Sequence, residues 1–355
     1  MKIKEYSPIE FDRLKSAWKN LEKGVEMTWF QTYDWYKIVN KHFMEEKRKA
    51  PFRSGTYVLL TDDDGKPLMI APIQVVKKGF YVKGIGMMKG FYFIGRQGYS
   101  DYLNFIYNDF KDEYLRTILE YLSKTYGMNY CRFENISERV SSYKSLNENY
   151  GADRVDSLCL RLPLEDTFDD YKKLLSKSMR QNIRTANNRA ERDGLSFTYK
   201  VLDHVDYKMA NKLNEVRNQR LGKKQSETHD ALSLQARVYT TCREALVNFT
   251  SSPIDVMHEI DKCWCLVAEC NDEIAAFFYS VYKPENKTVY LLLAGVNKKY
   301  EWYSPGITQL VSFIENEIAD GKPNVEVLDM TRGDEKYKYD LKSREVVTSQ
   351  FVFYM

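Results

Sequence analysis

The stretch Leu328-Asp329-Met330-Thr331-Arg332-Gly333-Asp334-Glu335-Lys336-Tyr337-Lys338 decides how this chain is read. An apolar strand, expected over 325–330, runs directly into a loop crowded with Asp, Arg, Tyr and Lys. That is more charge than a plain connection requires. Upstream lie Ala294-Gly295-Val296-Asn297, closing an expected strand 288–297, and Tyr303-Ser304-Pro305-Gly306, opening an amphipathic helix over 306–320. The order is strand, loop, helix, strand and charged loop, and the chemistry is expected where that order ends.

Working outward, apolar and turn patterns alternate along the whole chain. Ser7-Pro8-Ile9-Glu10 reads as a capped start for a helix over 8–22, with Phe11, Leu14, Trp18 and Leu21 at helical spacing. A second helix start, with an aromatic face, lies within 28–42. Strands 56–60 and 68–76 flank the turn Asp62-Asp63-Asp64-Gly65 and read as a hairpin. Gly84-Ile85-Gly86 lacks the following Gly and helix of a dinucleotide site and reads as loop. A helix over 111–126 and a strand over 129–135 follow. A new strand over 157–164 leads to a long helix expected over 168–193, stopped by Gly194. Two further helices, 204–220 and 231–250, are separated by a polar loop over 222–229. Strands 263–270, 274–283 and 288–297 precede the opening motif, and 346–354 reads as a last strand. Each half shows helices, a hairpin, a strand, a helix and a strand. Two α/β (α+β) domains are therefore expected, 1–156 and 157–355, each a mixed, mostly antiparallel sheet flanked by helices.

Composition agrees with two folded domains. The chain has 355 residues, 43% hydrophobic and 14% aromatic, with 27 Tyr. Tyr-rich surfaces line clefts for polar ligands, but Tyr is also an ordinary half-buried strand residue. A net charge of +3 gives no global sign of nucleic-acid binding. The six Cys lie in apolar runs and read as free thiols of a reducing compartment. Cys263 and Cys265 share a strand face, yet the four His are scattered, so no metal is expected. No signal-peptide core stands at the N-terminus, and no apolar run approaches the ~20 residues of a membrane span. A soluble cytoplasmic protein is expected.

Five segments carry a resemblance. They are Phe30-Gln31-Thr32-Tyr33-Asp34-Trp35, Leu162-Pro163-Leu164, Ser178-Met179-Arg180-Gln181-Asn182-Ile183-Arg184, Tyr303-Ser304-Pro305-Gly306 and 329–338. Together they resemble the CelD-like acetyltransferase family of the GNAT superfamily, related in architecture to FemAB-type transferases. The resemblance implies tandem GNAT-like domains, the second an acyltransferase. It also implies transfer from acetyl-CoA or another acyl-CoA to an amine or hydroxyl of a small molecule. Acceptors in such families often belong to cell-envelope or polysaccharide biosynthesis.

Such a site has three needs. The first is a cradle for the donor's phosphates, for which Ser304, Pro305 and Gly306 at a helix N-terminus are suited. A plain Ser-capped helix with Pro at its first position has the same sequence. No Gly lies between Lys298 and Tyr303, unlike the Gly-rich loop of many GNAT enzymes. The second is polarisation of the carbonyl by backbone N–H groups near Leu293 to Gly295. The third is proton management. Asp329 and Asp334, with Glu335 beside them, are candidate bases and Tyr337 a candidate acid, while Arg332 and Lys338 suit a carboxylate or phosphate. An Asp–Arg network that fixes the loop accounts for the same residues.

Lys173, Lys177, Arg180 and Arg184 recur as one basic stripe, with no Asp or Glu from 171 to 190. Arg180 and Arg184 are therefore candidate contacts for an anion: a nucleotide-activated sugar, CoA or tRNA. An exposed basic helix is the plainer alternative. Asp101 and Tyr102, within Gly98-Tyr99-Ser100-Asp101-Tyr102, are expected to face a cleft between the domains, and Trp35 to be core. Two other functions fit the same residues. One is FemAB-type aminoacyl transfer from charged tRNA, and the other is a non-catalytic binding module.

Overall fold

A computed structural model of the chain describes residues 1–45, 53–78, 88–95, 100–230, 256–319 and 324–355. These divide into two compact units. Met1–Leu158 and Val346–Met355 form the first, and residues 159–230 and 256–345 the second. A sequence division at 156/157 counts 346–355 with the second half, whereas by contact they belong to the first. Gly84 to Gly86, Gly98, Tyr99 and the helix expected over 231–250 lie outside the described residues.

The first unit comprises β1 (Lys2–Tyr6), α1 (Lys15–Leu21), α2 (Tyr33–Val39), β2 (Arg53–Thr61), β3 (Pro67–Val76), β4 (Gly90–Phe93), β5 (Ile106–Tyr107), α3 (Asp112–Tyr126), β6 (Tyr130–Ser137) and α4 (Ser141–Asn149). Neighbouring strands run β1-β2-β3-β4-β6 and then the closing strand Arg344–Tyr354, with β5 pairing β3. All these pairings are antiparallel except β4 with β6. The expected hairpin is present. Asp62 Oδ1 accepts from the N–H groups of Asp64 and Lys66, and Gly65 takes the left-handed conformation (φ 86°). The Ser7–Glu10 capping box also forms, opening a 3-10 turn that leads into α1. The core is aromatic. Trp18 is fully buried against Phe11, Tyr36 and Tyr57, and its indole N–H donates to Gln31 O at 2.8 Å.

The second unit takes the end of β7 (Asp153–Pro163), then α5 (Phe168–Leu174), α6 (Lys177–Arg192), β8 (Thr198–Leu202), α7 (Tyr207–Asp230), β9 (Cys265–Cys270), β10 (Glu273–Lys283), β11 (Thr288–Val296), α8 (Pro305–Ile318), β12 (Val327–Arg332) and α9 (Lys336–Asp340). Its strands run β7-β12-β11-β10-β9-β8, and only β11 with β12 is parallel. Helix α8 lays Leu310, Phe313 and Ile314 against Leu162, Leu266, Phe278, Val289 and Leu328 of the sheet. Both units are thus mixed, mostly antiparallel sheets flanked by helices, as expected. No helix among the described residues is long and apolar enough to cross a membrane.

Two expected elements differ. The long helix over 168–193 is broken, because Leu175 and Ser176 are extended (ψ 139° and 154°) and Ser176 Oγ caps α6 by accepting from Met179 N at 3.0 Å. Lys173 therefore sits on a different helix from Lys177, Arg180 and Arg184, and pairs with Asp170 at 2.7 Å. The polar loop expected over 222–229 is helical, as part of α7. One Gly costs a helix only about 1 kcal/mol, and Lys, Gln and Glu around it are good helix formers.

Candidate active site

Strands β11 and β12 part company after a short pairing, and the candidate site opens where they do. Their parallel register covers Thr288↔Val327 to Tyr290↔Asp329 only. On its other edge β11 stays paired with β10 as far as Val296, with an extra residue between Leu291 and Leu293. That bulge bends the strand away. Beyond Tyr290 the β12-facing edge of β11 has no strand partner among the described residues. There Leu292, Leu293 and Ala294 become half-buried, while Thr288 to Leu291 are buried. The stretch near Leu293, where backbone donors were expected, thus has one strand edge without a strand partner among the described residues.

A cavity of about 360 Å³ lies at this opening, lined by Phe278, Ala294, Val296, Lys298, Glu301, Ser304, Gly306, Ile307 and Tyr337. Ala294 and Val296 face it, and by strand alternation Gly295 faces the other way. A Cβ at Gly295 would lie 2.4 Å from Phe277 Cε1 and 3.2 Å from Arg217 Cα. Gly295, expected to contribute through its backbone N–H, also packs too closely against Phe277 to carry a side chain. Gly295→Ala is expected to destabilise the unit by about 1–3 kcal/mol, seen as a lower urea midpoint with an unchanged slope. An unchanged midpoint would refute that packing account.

Gly306 needs no such relief, since a Cβ there meets ordinary contacts at 3.5 Å or more. Its value is its backbone. Pro305 has no N–H, the N–H groups of Ile307 and Thr308 both go to Ser304 O, and no partner accepts from Gly306 N–H among the described residues. Ser304 does not cap the helix with its side chain. It is exposed and left-handed (φ 48°). The plain Ser cap that the sequence allowed is absent, and one N–H at the positive end of α8 faces the cavity. Lys298 has no carboxylate partner among the described residues and adds a second positive group. Glu301 adds a carboxylate.

The 329–338 loop divides by role. Asp329 is 1% exposed, and its carboxylate pairs with Arg161 Nε at 3.0 Å while accepting from Thr331 N at 2.9 Å. Thr331 is held left-handed (φ 54°), and its hydroxyl donates to Leu291 O at 2.9 Å, where the two strands separate. Burial first, and then the Asp329 charge, raise the Tyr290 hydroxyl above its ordinary pKa. Lys338 is 3% exposed. Its ammonium donates to Arg332 O (2.9 Å) and Gly333 O (3.2 Å) and pairs with Glu335 (2.9 Å). Asp329 and Lys338, expected in catalysis, instead shape the loop, and neither lines the cavity. The loop network that the sequence left open is the one observed. Its effect is to aim α9, which carries Tyr337 to the cavity wall. Arg332 and Asp334 are exposed and outside the lining.

The remaining candidates lie elsewhere. Arg180 donates to Lys172 O and Leu175 O and lines a second cavity of about 380 Å³ among α5, α6, β8 and α8, which Arg184 does not line. Arg184 donates to Gln181 on the exposed face of α6. Tyr102 is 4% exposed in the first unit's own core beside Phe30, so its side chain is closed to a substrate; Asp101 is half-buried. Trp35 is core, as expected. Burial raises the Cys263 and Cys265 thiols above their ordinary pKa.

Arg161, Lys298, Glu301 and Phe278 were not anticipated. A signal for Arg161 exists: it is a lone charge between Leu160 and Leu162 in an apolar strand, as Asp329 is between Leu328 and Met330, and such isolated strand charges want each other.

Residues 177–339 match the acetyltransferase (GNAT) domain family. The second unit has a GNAT-type acyltransferase fold. Among curated proteins none matches the chain. A conserved protein of unknown function from Bacteroides thetaiotaomicron is similar over 100% of both chains, at 10% identity and a TM-score of 0.52. The C-terminal domain of a putative lysylphosphatidylglycerol synthetase from Agrobacterium fabrum is similar over 96% of this chain and 92% of its own, at 10% identity and a TM-score of 0.50. A tandem GNAT protein from the clavulanic acid biosynthesis pathway aligns over 99% and 98%, at 8% identity and a TM-score of 0.46. At such identities the likeness is one of fold.

Proposed function

We propose that the second unit transfers an acyl group from an acyl-CoA to an amine or hydroxyl of a small-molecule acceptor. The observation that carries this reading is the meeting of three features at one cavity: the open edge of β11, the unpartnered Gly306 N–H and Tyr337. The strand edge supplies N–H groups for an extended donor arm and for its carbonyl oxygen. Gly306 N–H and Lys298 suit the donor's phosphates. Tyr337 is the side chain placed to protonate the departing thiolate. Arg332, Asp334 and the cavity beside Arg180 are assigned to the acceptor. The narrower CelD-like assignment rests on the five segments that carry the resemblance, and the envelope-sugar acceptor on what that resemblance implies.

One observation favours a second reading. The turn from Lys298 to Tyr303 is a Gly-free 3-10 helix, it leaves one open N–H, and the acidic Glu301 lines the cavity. A donor with fewer phosphates at that point, such as the 3′ end of an aminoacyl-tRNA, suits it better than a diphosphate does. One fold neighbour is described as a putative lysylphosphatidylglycerol synthetase.

Thermal unfolding with and without acetyl-CoA tests the first reading. At ~100 times its Kd the donor adds roughly 2.7 kcal/mol, a rise of several degrees. The expected result is a rise larger than adenosine nucleotides give. No rise with acetyl-CoA, alongside one with a 3′-aminoacyl-adenosine analogue, would replace it by the second reading.

A further inference from the structure

The indole of Trp302 is 59% exposed, whereas Trp18, Trp29 and Trp35 are at least 92% buried. It stands in the 3-10 turn between Glu301 and Ser304, two residues of the cavity wall. The exposed ring is nonetheless held. The Arg189 guanidinium lies 3.7 Å from the ring centroid, and Arg189 Nη1 donates to Trp302 O at 3.2 Å. On one side the neighbouring Tyr303 anchors the turn through its hydroxyl, which donates to Asp193 at 2.9 Å, and through its ring on Phe197. One face of the indole is therefore covered by a cation and the rest is open, on a backbone fixed from two directions. Arg189 has no carboxylate partner among the described residues, so its charge is not neutralised. A solitary exposed aromatic is unremarkable on a protein surface. One that is braced, backed by an unneutralised guanidinium and set beside the open N–H of a helix is suited to a flat ring carrying phosphate.

We propose that Trp302 and Arg189 form a stacking platform for the adenosine of the acyl donor, with the purine on the open indole face and Arg189 bracing the opposite face. The inference rests on the donor reading above, and it names the part of the donor that the cavity does not enclose. In an acyl-CoA the adenosine lies at the far end of the arm from the acyl group, as a platform outside the cavity requires, whereas in an aminoacyl-tRNA the terminal adenosine carries the acyl group itself. The platform therefore fits the acyl-CoA, and the tRNA terminus is an outcome of the test.

The test is calorimetric titration of the full chain with three probes: acetyl-CoA, acetyl-phosphopantetheine (the same arm without adenosine) and a non-hydrolysable 3′-aminoacyl-adenosine. Each is repeated on Trp302→Ala and Trp302→Phe. Base–aromatic stacking sets the expected loss in Trp302→Ala at about tenfold in Kd for acetyl-CoA. Acetyl-phosphopantetheine affinity should stay unchanged, and Trp302→Phe should recover part of the loss. If acetyl-CoA is the binder, the acyl-CoA reading stands as well. If only the aminoacyl-adenosine binds, the platform for the far end of an acyl-CoA is overturned and the donor is the tRNA terminus. Equal affinities in wild type and Trp302→Ala overturn the platform while leaving the donor reading intact. Failure of every adenosine-bearing probe to bind the wild type overturns the platform too.

Discussion

Replacing Asp329 with alanine is expected to cost the second unit roughly 3–5 kcal/mol, the range for breaking a buried ion pair by removing one partner. The melting temperature should fall by on the order of 10 °C. The carboxylate does two jobs at 1% exposure. It neutralises Arg161, itself only 15% exposed, and it accepts the N–H of a threonine held in a left-handed conformation. Without it a guanidinium stays buried and unpaired, Thr331 loses the bond that offsets its strained backbone, and Thr331 can release Leu291 O. The opening between β11 and β12 should then close or shift, so activity falls along with stability. A double variant discriminates this from catalysis. Arg161→Leu with Asp329→Leu removes both charges together, and well-packed apolar replacements of such pairs are often close to neutral. The double variant should therefore be markedly more stable than Asp329→Ala. If Asp329→Ala keeps the wild-type melting temperature and loses turnover alone, the structural account fails and Asp329 returns as a candidate base.

The same residue shows where reading a sequence stops. The charged loop after an apolar strand stood out as the place to look, and the match over 177–339 includes all of it. Its division of labour was not legible, because catalysis and an ion-pair network call for the same residue types. What separates them is Arg161, on a strand much earlier in the chain, and no local pattern links the two. Hairpin β2/β3, the Ser7 cap and α8 were readable because their signals are local: turn residues, a capping box, helical spacing. The break at Ser176 was locally encoded but masked, since the basic spacing from Lys173 to Arg184 continues across it unbroken. Gly295 was read only as a backbone donor, and its lack of a side chain makes room for Phe277, which depends on which face of the strand looks at the cavity. Trp302 carried no sequence signal, because exposure is decided by what packs around a residue.

Tyr337→Phe is expected to reduce kcat about a hundredfold, the low end of the range for losing a positioned general acid. Stability and donor affinity should change little. The ring stays, so the cavity wall and the packing of α9 stay, and Asp329 and Lys338 still hold the loop. Only the hydroxyl is removed, from the one side chain of the loop motif that reaches the cavity. Acyl transfer breaks the carbonyl carbon–sulfur bond, leaves the electron pair on sulfur, and needs a proton there before the product can be released. A donor whose leaving group is already stable as an anion needs that proton less. The deficit of Tyr337→Phe should therefore shrink when the thioester carries a more acidic thiol, such as an aryl thiol. It should grow if the leaving group is a ribose oxygen, whose anion is far more basic. A deficit that stays constant across leaving groups would mean that the hydroxyl positions the donor and does not protonate it. Full activity in Tyr337→Phe would remove Tyr337 from the mechanism and leave the open strand edge and the helix N-terminus as the working parts of the site.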